Sequence, residues 1–417
     1  MIAEILSTGD ELRSGAVQDT NSGYIARKLE ERGIFTTRHQ CVGDDSDMLI
    51  SVLKEIGGRA DIAIVSGGLG PTEDDLTAAA AARAAGVELA LDQMAHESVM
   101  QFFKSRKRPM NPTNQKQALL PLGAECLSNP VGTAPGFKLK IDRCRFWFVP
   151  GVPLEMKRML NETVLSQIAE LPGRERSHYQ TRTLATFGLP ESATGEMLAG
   201  FEGRFAGIKL GLRAKFPEIH IKLYGQGKDE EDLSKRMQQA TAWVLEKLGR
   251  NVFSTRGESI ASVVGQQLIT QNATVAVAES CTGGLISHWL TDVPGSSQYF
   301  RYTAITYSNE AKIKMLAVSP STIRDNGAVH EKTALEMVEG VKNQSGADYA
   351  IATSGIAGPE GGTEDKPVGT VCIGLATPRY TKAKRYYLQF ADRSMNKKIF
   401  AMTALDILRR ALLESGF

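Results

Sequence analysis

Over the first 170 residues, short apolar runs alternate with amphipathic stretches. Ile2 to Leu6 and Asp61 to Ser66 have the length and β-branched content of buried strands. Ser22 to Arg32, Met48 to Ile56 and Leu76 to Ala85 carry their apolar residues at helical spacing. This βαβ rhythm predicts a mostly parallel sheet covered by helices. Phe146-Trp147-Phe148-Val149, closed by Pro150-Gly151-Val152-Pro153, reads as a late buried strand ending in a loop, and Leu154 to Ile168 as the helix after it.

Between about 171 and 255 the pattern changes. Gln180 to Phe187, Ile208 to Leu212 and Glu218 to Tyr224 resemble strands, and Glu230 to Leu248 a helix, so this stretch reads as a small α+β insert. From 256 onwards βα alternation resumes: a helix over Ser259 to Gln271, strands at Thr274 to Ala278, Asp348 to Thr353 and Val368 to Ala376, and a final helix over Asn396 to Leu413. The expected fold class is α/β, with two α/β domains, 1–170 and 256–417, flanking an α+β segment at 171–255. No fixed-period repeat or low-complexity segment interrupts it.

Composition narrows the function classes. A chain of 417 residues, 42% hydrophobic and 23% charged, has the make-up of an ordinary globular protein of several domains. Lys plus Arg number 49 against 47 Asp plus Glu, so no global field gathers nucleic acid or an anionic membrane. Residues 201 to 250 hold ten basic and seven acidic side chains, too mild an excess to argue for nucleic-acid binding there. Cys41, Cys126, Cys144, Cys281 and Cys372 are scattered, with no C-x-x-C pair, which fits a reducing cytoplasm and argues against a disulfide framework or cysteine zinc site. A leader-like amino terminus and an apolar run of membrane-spanning length are both missing from the pattern, so neither secretion nor a membrane span is expected.

Candidate chemistry concentrates at three strand ends of the carboxy-terminal domain. Ala278-Glu279-Ser280-Cys281-Thr282-Gly283-Gly284-Leu285 stands where a buried strand turns into a helix, and unpaired N–H groups there suit an oxyanion or a phosphate; a plain helix cap is the alternative. In Tyr307-Ser308-Asn309-Glu310-Ala311-Lys312, a cap at Asn309 would put Lys312 in the first turn of a helix, where the dipole lowers a lysine pKa and readies it as a base. Thr353-Ser354-Gly355-Ile356-Ala357-Gly358-Pro359 again follows an apolar strand, and ligands of α/β sheets bind at such carboxyl edges. His288 lies in the apolar helix Leu285 to Leu290, where packing is the expected role, and His330 begins a separate helix.

The amino-terminal domain carries Ser66-Gly67-Gly68-Leu69-Gly70-Pro71-Thr72-Glu73-Asp74-Asp75 at a strand end. Gly67, Gly68, Gly70 and Thr72 would suit a phosphorylated ligand held by backbone amides, with a divalent cation bridging to Asp74 or Asp75. The stretch is neither a G-x-G-x-x-G fingerprint nor a P-loop, which disfavours a nicotinamide dehydrogenase or a P-loop ATPase.

Together, AESCTGG, TDVPGSS, YSNEAK, GIAGP-x-GG and KPVGTV closely resemble the carboxy-terminal domain of the CinA family over residues 256 to 417. The resemblance implies hydrolysis of the carboxamide of nicotinamide mononucleotide, with Ser280 as nucleophile and no metal or cofactor. Lys312, through or alongside Tyr307, would be the base; amides near Cys281 and Thr282 would hold the oxyanion, and Ser354 would bond the amide or Ser280. Arg393, or alternatively Thr282, Gly283 and Gly284, would hold the 5′-phosphate, with Gly355 at the substrate. Cys281 is the rival nucleophile. The family pattern has glycine where Ala391 stands and serine where His330 stands. Residues 1 to 170, with Ser7-Thr8-Gly9-Asp10-Glu11 and Asn129-Pro130-Val131-Gly132-Thr133-Ala134-Pro135-Gly136, resemble the family's molybdopterin-binding fold, and the middle segment its KH-like domain. That implies metal-dependent cleavage of ADP-ribose, with Asp44, Asp74, Asp75 and Glu155 as candidate ligands of a divalent metal ion. A homodimer is expected by resemblance. A molybdopterin-binding module and a competence-related interaction protein stay open as alternatives.

Overall fold

The structure, a computed structural model, describes residues 1–171, 178–390 and 392–415. Ala391 of the sequence comparison lies outside the described residues. The chain divides into two compact units, Met1–Gln180 with Gln226–Glu230 and Thr181–Gly225 with Glu231–Phe417.

The first unit is built on a six-stranded sheet in the order Thr36–Val42, Ala3–Thr8, Ile62–Ser66, Cys144–Val149, Gly136–Ile141, Glu125–Leu127. The first four strands run parallel and the last two pair antiparallel. The central strands are buried on both faces. Leu6, Val65, Phe146 and Phe148 enter one apolar cluster, while Ile5, Ile64, Trp147 and Val149 enter the other. Such strands read as continuous apolar runs, which is why they stand out in the sequence. Helices Thr20–Glu30 and Ser46–Arg59 begin where Asp19 and Asp45 accept the N–H groups of Ser22 and Met48. The helix expected over Leu154 to Ile168 is broken: Pro153–Met159 and Leu165–Ala169 flank a π-helical turn, Leu160–Val164.

In the middle segment, strands Ile208–Lys215, Glu218–Gly227, His178–Thr186 and Val252–Ser254 form one sheet, backed by helix Glu230–Leu248. Leu184, Ile221, Leu223, Met237 and Val244 fill its core. Ala185, Phe187 and Phe253 instead join the core of the carboxy-terminal domain, and Arg409 donates to the Arg250 carbonyl at 2.7 Å.

The carboxy-terminal sheet has the order Phe300–Ile305, Val275–Glu279, Tyr349–Gly355, Thr370–Ala376, Thr381–Tyr387. The first three strands are parallel and the last two antiparallel. Val275 and Val277 face the helices Ile260–Thr270 and Arg393–Ser415, whereas Ala276 and Ala278 face Glu331–Ser345. Among the described residues, no helix is long and apolar enough to cross a membrane.

Candidate active site

Three parallel strands end side by side, with Glu279 in register with both Ile305 and Thr353. The segments that follow them are therefore brought to one edge of the sheet. Backbone bonds fix that edge: Ser280 N–H donates to the Thr353 carbonyl and Thr306 N–H to the Glu279 carbonyl, both at 2.9 Å.

Lys312 sits on helix Asn309–Leu316, whose cap is Ser308 rather than Asn309; the Ser308 hydroxyl accepts the Ala311 N–H at 3.1 Å. The lysine is only 1% exposed, and its Nζ lies 3.0 Å from Ser280 Oγ and 2.8 Å from the Thr306 carbonyl. No carboxylate pairs with it among the described residues. Burial pushes its pKa below the ordinary 10.5, while the neighbouring Cys281 acts weakly the other way. As an ammonium it donates to both oxygens. Once it loses a proton, the Thr306 carbonyl can keep one N–H while the lone pair accepts the Ser280 hydroxyl proton.

Cys281 is buried, and burial pushes its thiol up to about 12, so almost no thiolate forms near neutrality. Among the described residues, no backbone carbonyl accepts the N–H groups of Cys281 and Thr282, whereas Gly283 N–H is taken by the Ser280 carbonyl. Those two amides can serve an oxyanion. The Thr282 side chain is wholly buried against Thr353, hydroxyl to hydroxyl at 2.8 Å.

Of Thr282, Gly283 and Gly284, the alternative phosphate donors, the Gly284 N–H is already taken by an internal carboxylate. Glu279, fully buried, accepts Gly284 N–H at 2.9 Å, Ile286 N–H at 3.2 Å, Ser287 N–H at 2.8 Å and the Ser287 hydroxyl at 2.6 Å. Its carboxylate neutralises the positive end of helix Leu285–Thr291.

Other expected residues are placed differently. Ser354 is buried and donates to the Ala328 carbonyl at 2.7 Å, with no bond to Ser280. Tyr307 is exposed, and its hydroxyl accepts Arg393 at 2.7 Å instead of meeting Lys312 or Ser280. Arg393 also donates to the Gly358 carbonyl at 2.6 Å. A Cβ on Gly355 would come within 2.6 Å of the Thr370 carbonyl on the next strand, so strand packing requires a glycine there. His288 is exposed, not packed, while His330 does cap helix Glu331–Ser345.

The first unit holds a cavity of about 480 Å³ whose wall includes Glu11, Asp19, Asp44, Asp74, Asp75 and Glu155, and no lysine or arginine. Gly67, Gly68 and Gly70 line it too. Gly67, at φ +116°, is forced by the Thr8 carbonyl, which a Cβ would approach to 2.5 Å. Thr72 N–H and hydroxyl both bond Asp75, at 2.9 and 2.5 Å. The four expected metal ligands share this cavity but form no cage, since no group of three or more His, Cys, Asp or Glu converges for a metal ion among the described residues. Asp75 is tied to Thr72, Glu155 accepts Asn129 at 2.7 Å, and Asp44 accepts Asp10 N–H at 3.0 Å. Burial raises the Asp44 pKa, and the charges of Asp10, Glu11 and Asp74 add to that rise. An all-oxygen donor set with excess negative charge fits a hard divalent cation, provided substrate oxygens and water complete its shell.

Residues 257–412 match the model for the CinA C-terminal domain, residues 4–170 that for a probable molybdopterin binding domain, and residues 181–254 that for the damage-inducible protein CinA KH domain. A CinA-like protein of Desulfosudis oleivorans is 51% identical over 413 residues, covering 99% of this chain and 100% of its own length. The chain belongs to the CinA family. A second CinA-like protein, from Desulforapulum autotrophicum, is 47% identical over 420 residues, covering all of this chain and 99% of its own. The solved competence/damage inducible protein CihA from Agrobacterium tumefaciens shares 34% identity over 38% of this chain and 99% of its own, with a TM-score of 0.36.

In this CinA-family chain, sequence reasoning passed over Glu279 and Asn396. Glu279 had left a signal, a charge closing the otherwise apolar strand Val275–Glu279. Asn396, buried on the last helix, donates to the Ala357 carbonyl at 3.0 Å and accepts Phe390 N–H at 2.8 Å, which holds the third strand-end loop in place. Nothing in its surroundings in the sequence marks that role.

Proposed function

We propose that this CinA-family chain hydrolyses the carboxamide of nicotinamide mononucleotide to nicotinic acid mononucleotide and ammonia. The observation that supports this most is the contact between Ser280 and a buried lysine that no carboxylate keeps charged. Neutral Lys312 takes the Ser280 proton as Oγ attacks the amide carbon. The oxyanion of the tetrahedral intermediate accepts the Cys281 and Thr282 N–H groups. The Lys312 ammonium then protonates the departing nitrogen, ammonia leaves, and an acyl ester remains on Ser280. Water, activated by the same amine, cleaves the ester and restores both groups. No metal enters this scheme.

Purified protein should release ammonia from nicotinamide mononucleotide equally with and without a chelator, and the acid product should appear by mass spectrometry. The activity should rise with pH through an apparent pKa below 10.5, because deprotonating Lys312 creates the base. No ammonia under either condition would remove the reading.

The carboxylate-lined cavity supports a second site, for metal-dependent hydrolysis of ADP-ribose. Asp44 and Asp74 would hold the divalent cation, which when bound neutralises charge on the diphosphate. AMP should form from ADP-ribose only with magnesium or manganese added, and Asp74→Ala should abolish it. Tight pterin binding without turnover would favour the molybdopterin-binding alternative instead.

A further inference from the structure

Strands Ile208–Lys215 and Glu218–Gly227 of the middle segment pair with Lys215 opposite Glu218, so Phe216 and Pro217 alone form the turn between them. The end of this hairpin is tied down: Glu218, buried, bonds the His220 ring at 2.8 Å, and the Thr186 hydroxyl donates to the Ile219 carbonyl at 2.9 Å. From that tip Phe216 packs against the apolar core of the carboxy-terminal domain. Its ring meets Phe390 edge to face, with centroids 4.7 Å apart and planes at 67°. Phe390 N–H donates to Asn396 Oδ1, and Asn396 Nδ2 donates to the Ala357 carbonyl. The loop that carries Ala357 continues strand Tyr349–Gly355, whose Thr353 carbonyl accepts the Ser280 N–H. Direct contacts therefore run from the middle-segment hairpin to the sheet edge where Ser280 stands. Docking of the two domains does not need this hairpin contact, because Ala185, Phe187 and Phe253 are already buried in the shared core. Phe216 is only half-buried and Phe390 is 39% exposed, so the pair adds little burial; what it fixes is where Phe390 lies.

We propose that Phe216 is a positioning residue for the candidate active site. It holds Phe390 and, through Asn396, the strand-end loop beside Ser280, so that the middle segment completes a substrate site in the neighbouring domain. The substrate used in the test rests on the deamidase reading; the line of contacts does not.

Phe216→Ala in the full chain should raise KM for nicotinamide mononucleotide about three- to tenfold with little change in kcat, and Phe216→Tyr, which keeps the ring, should stay near wild type. Phe390→Ala should act alike, and the double variant should go no further than either single one, since both remove the same contact. Phe253→Leu, in the shared core, is the control: it should lower the melting temperature and leave KM as it is. Amide exchange at Phe390 reads the contact without any substrate and should quicken in Phe216→Ala but not in Phe253→Leu. An unchanged KM in Phe216→Ala, a KM rise shared by Phe253→Leu, losses that multiply in the double variant, or exchange at Phe390 as in wild type would overturn the proposal. Faster exchange in a protein that releases no ammonia would uphold the brace and refute the deamidase.

Discussion

Ser280→Ala and Lys312→Met are each expected to lower kcat for ammonia release by on the order of 10³ to 10⁴-fold, and the double variant to fall no further. The two groups act on one proton at a 3.0 Å contact, so removing either leaves the other idle. The lysine variant separates chemistry from folding. A buried ammonium without a counter-ion costs stability, and the unfolded chain binds its proton more readily than the folded one. Wild-type stability should therefore rise with pH between the lowered folded pKa and 10.5, and Lys312→Met should lose that slope while melting no lower near neutrality. If Lys312→Met kept most of the activity, or if the double variant multiplied the two losses, the dyad would be wrong.

Glu279→Leu should destabilise the unit that contains it by about 3 kcal/mol or more, because four donors would lose their acceptor inside the protein. Each buried orphan of this kind costs about 1–3 kcal/mol, and partial rescue by water keeps the total below their sum. Hydrogen exchange at Gly284, Ile286 and Ser287 should accelerate, and the urea midpoint of that unit should drop. Glu279→Gln, which keeps one acceptor oxygen, should lose less. Activity would fall alongside, since the carboxylate positions the helix that follows the nucleophile without touching substrate. Unchanged exchange in Glu279→Leu would show that the carboxylate is dispensable to the turn.

Buried parallel strands were the most legible part of the fold. Val275–Glu279 and Ile62–Ser66 are buried along their whole length and read as short continuous apolar runs. Thr381–Tyr387, with three basic residues in seven, and Phe300–Ile305 escaped detection because each lies outside the sheet centre and carries polar side chains. Within the site, Ser280 and Lys312 were readable from local turn chemistry, since both stand at strand-to-helix junctions. The contacts that Ser354, Tyr307 and Gly355 make were not legible, for a different reason. Their partners, Ala328, Arg393 and Thr370, are far away in the chain, and no local pattern encodes a pairing made only after the sheet assembles. The amino-terminal carboxylates show the same limit: proximity to one cavity was legible, convergence on a single ion was not.

The border strand Thr381–Tyr387 also decides how copies of the molecule can meet. Among the described residues no strand pairs with its outer edge, an open template for another strand. A second copy arriving there antiparallel about their common midpoint would bring Lys384 of each chain directly against Lys384 of the other, and Lys382 against Tyr386. That like-charge pair works against self-assembly by sheet extension at this rim.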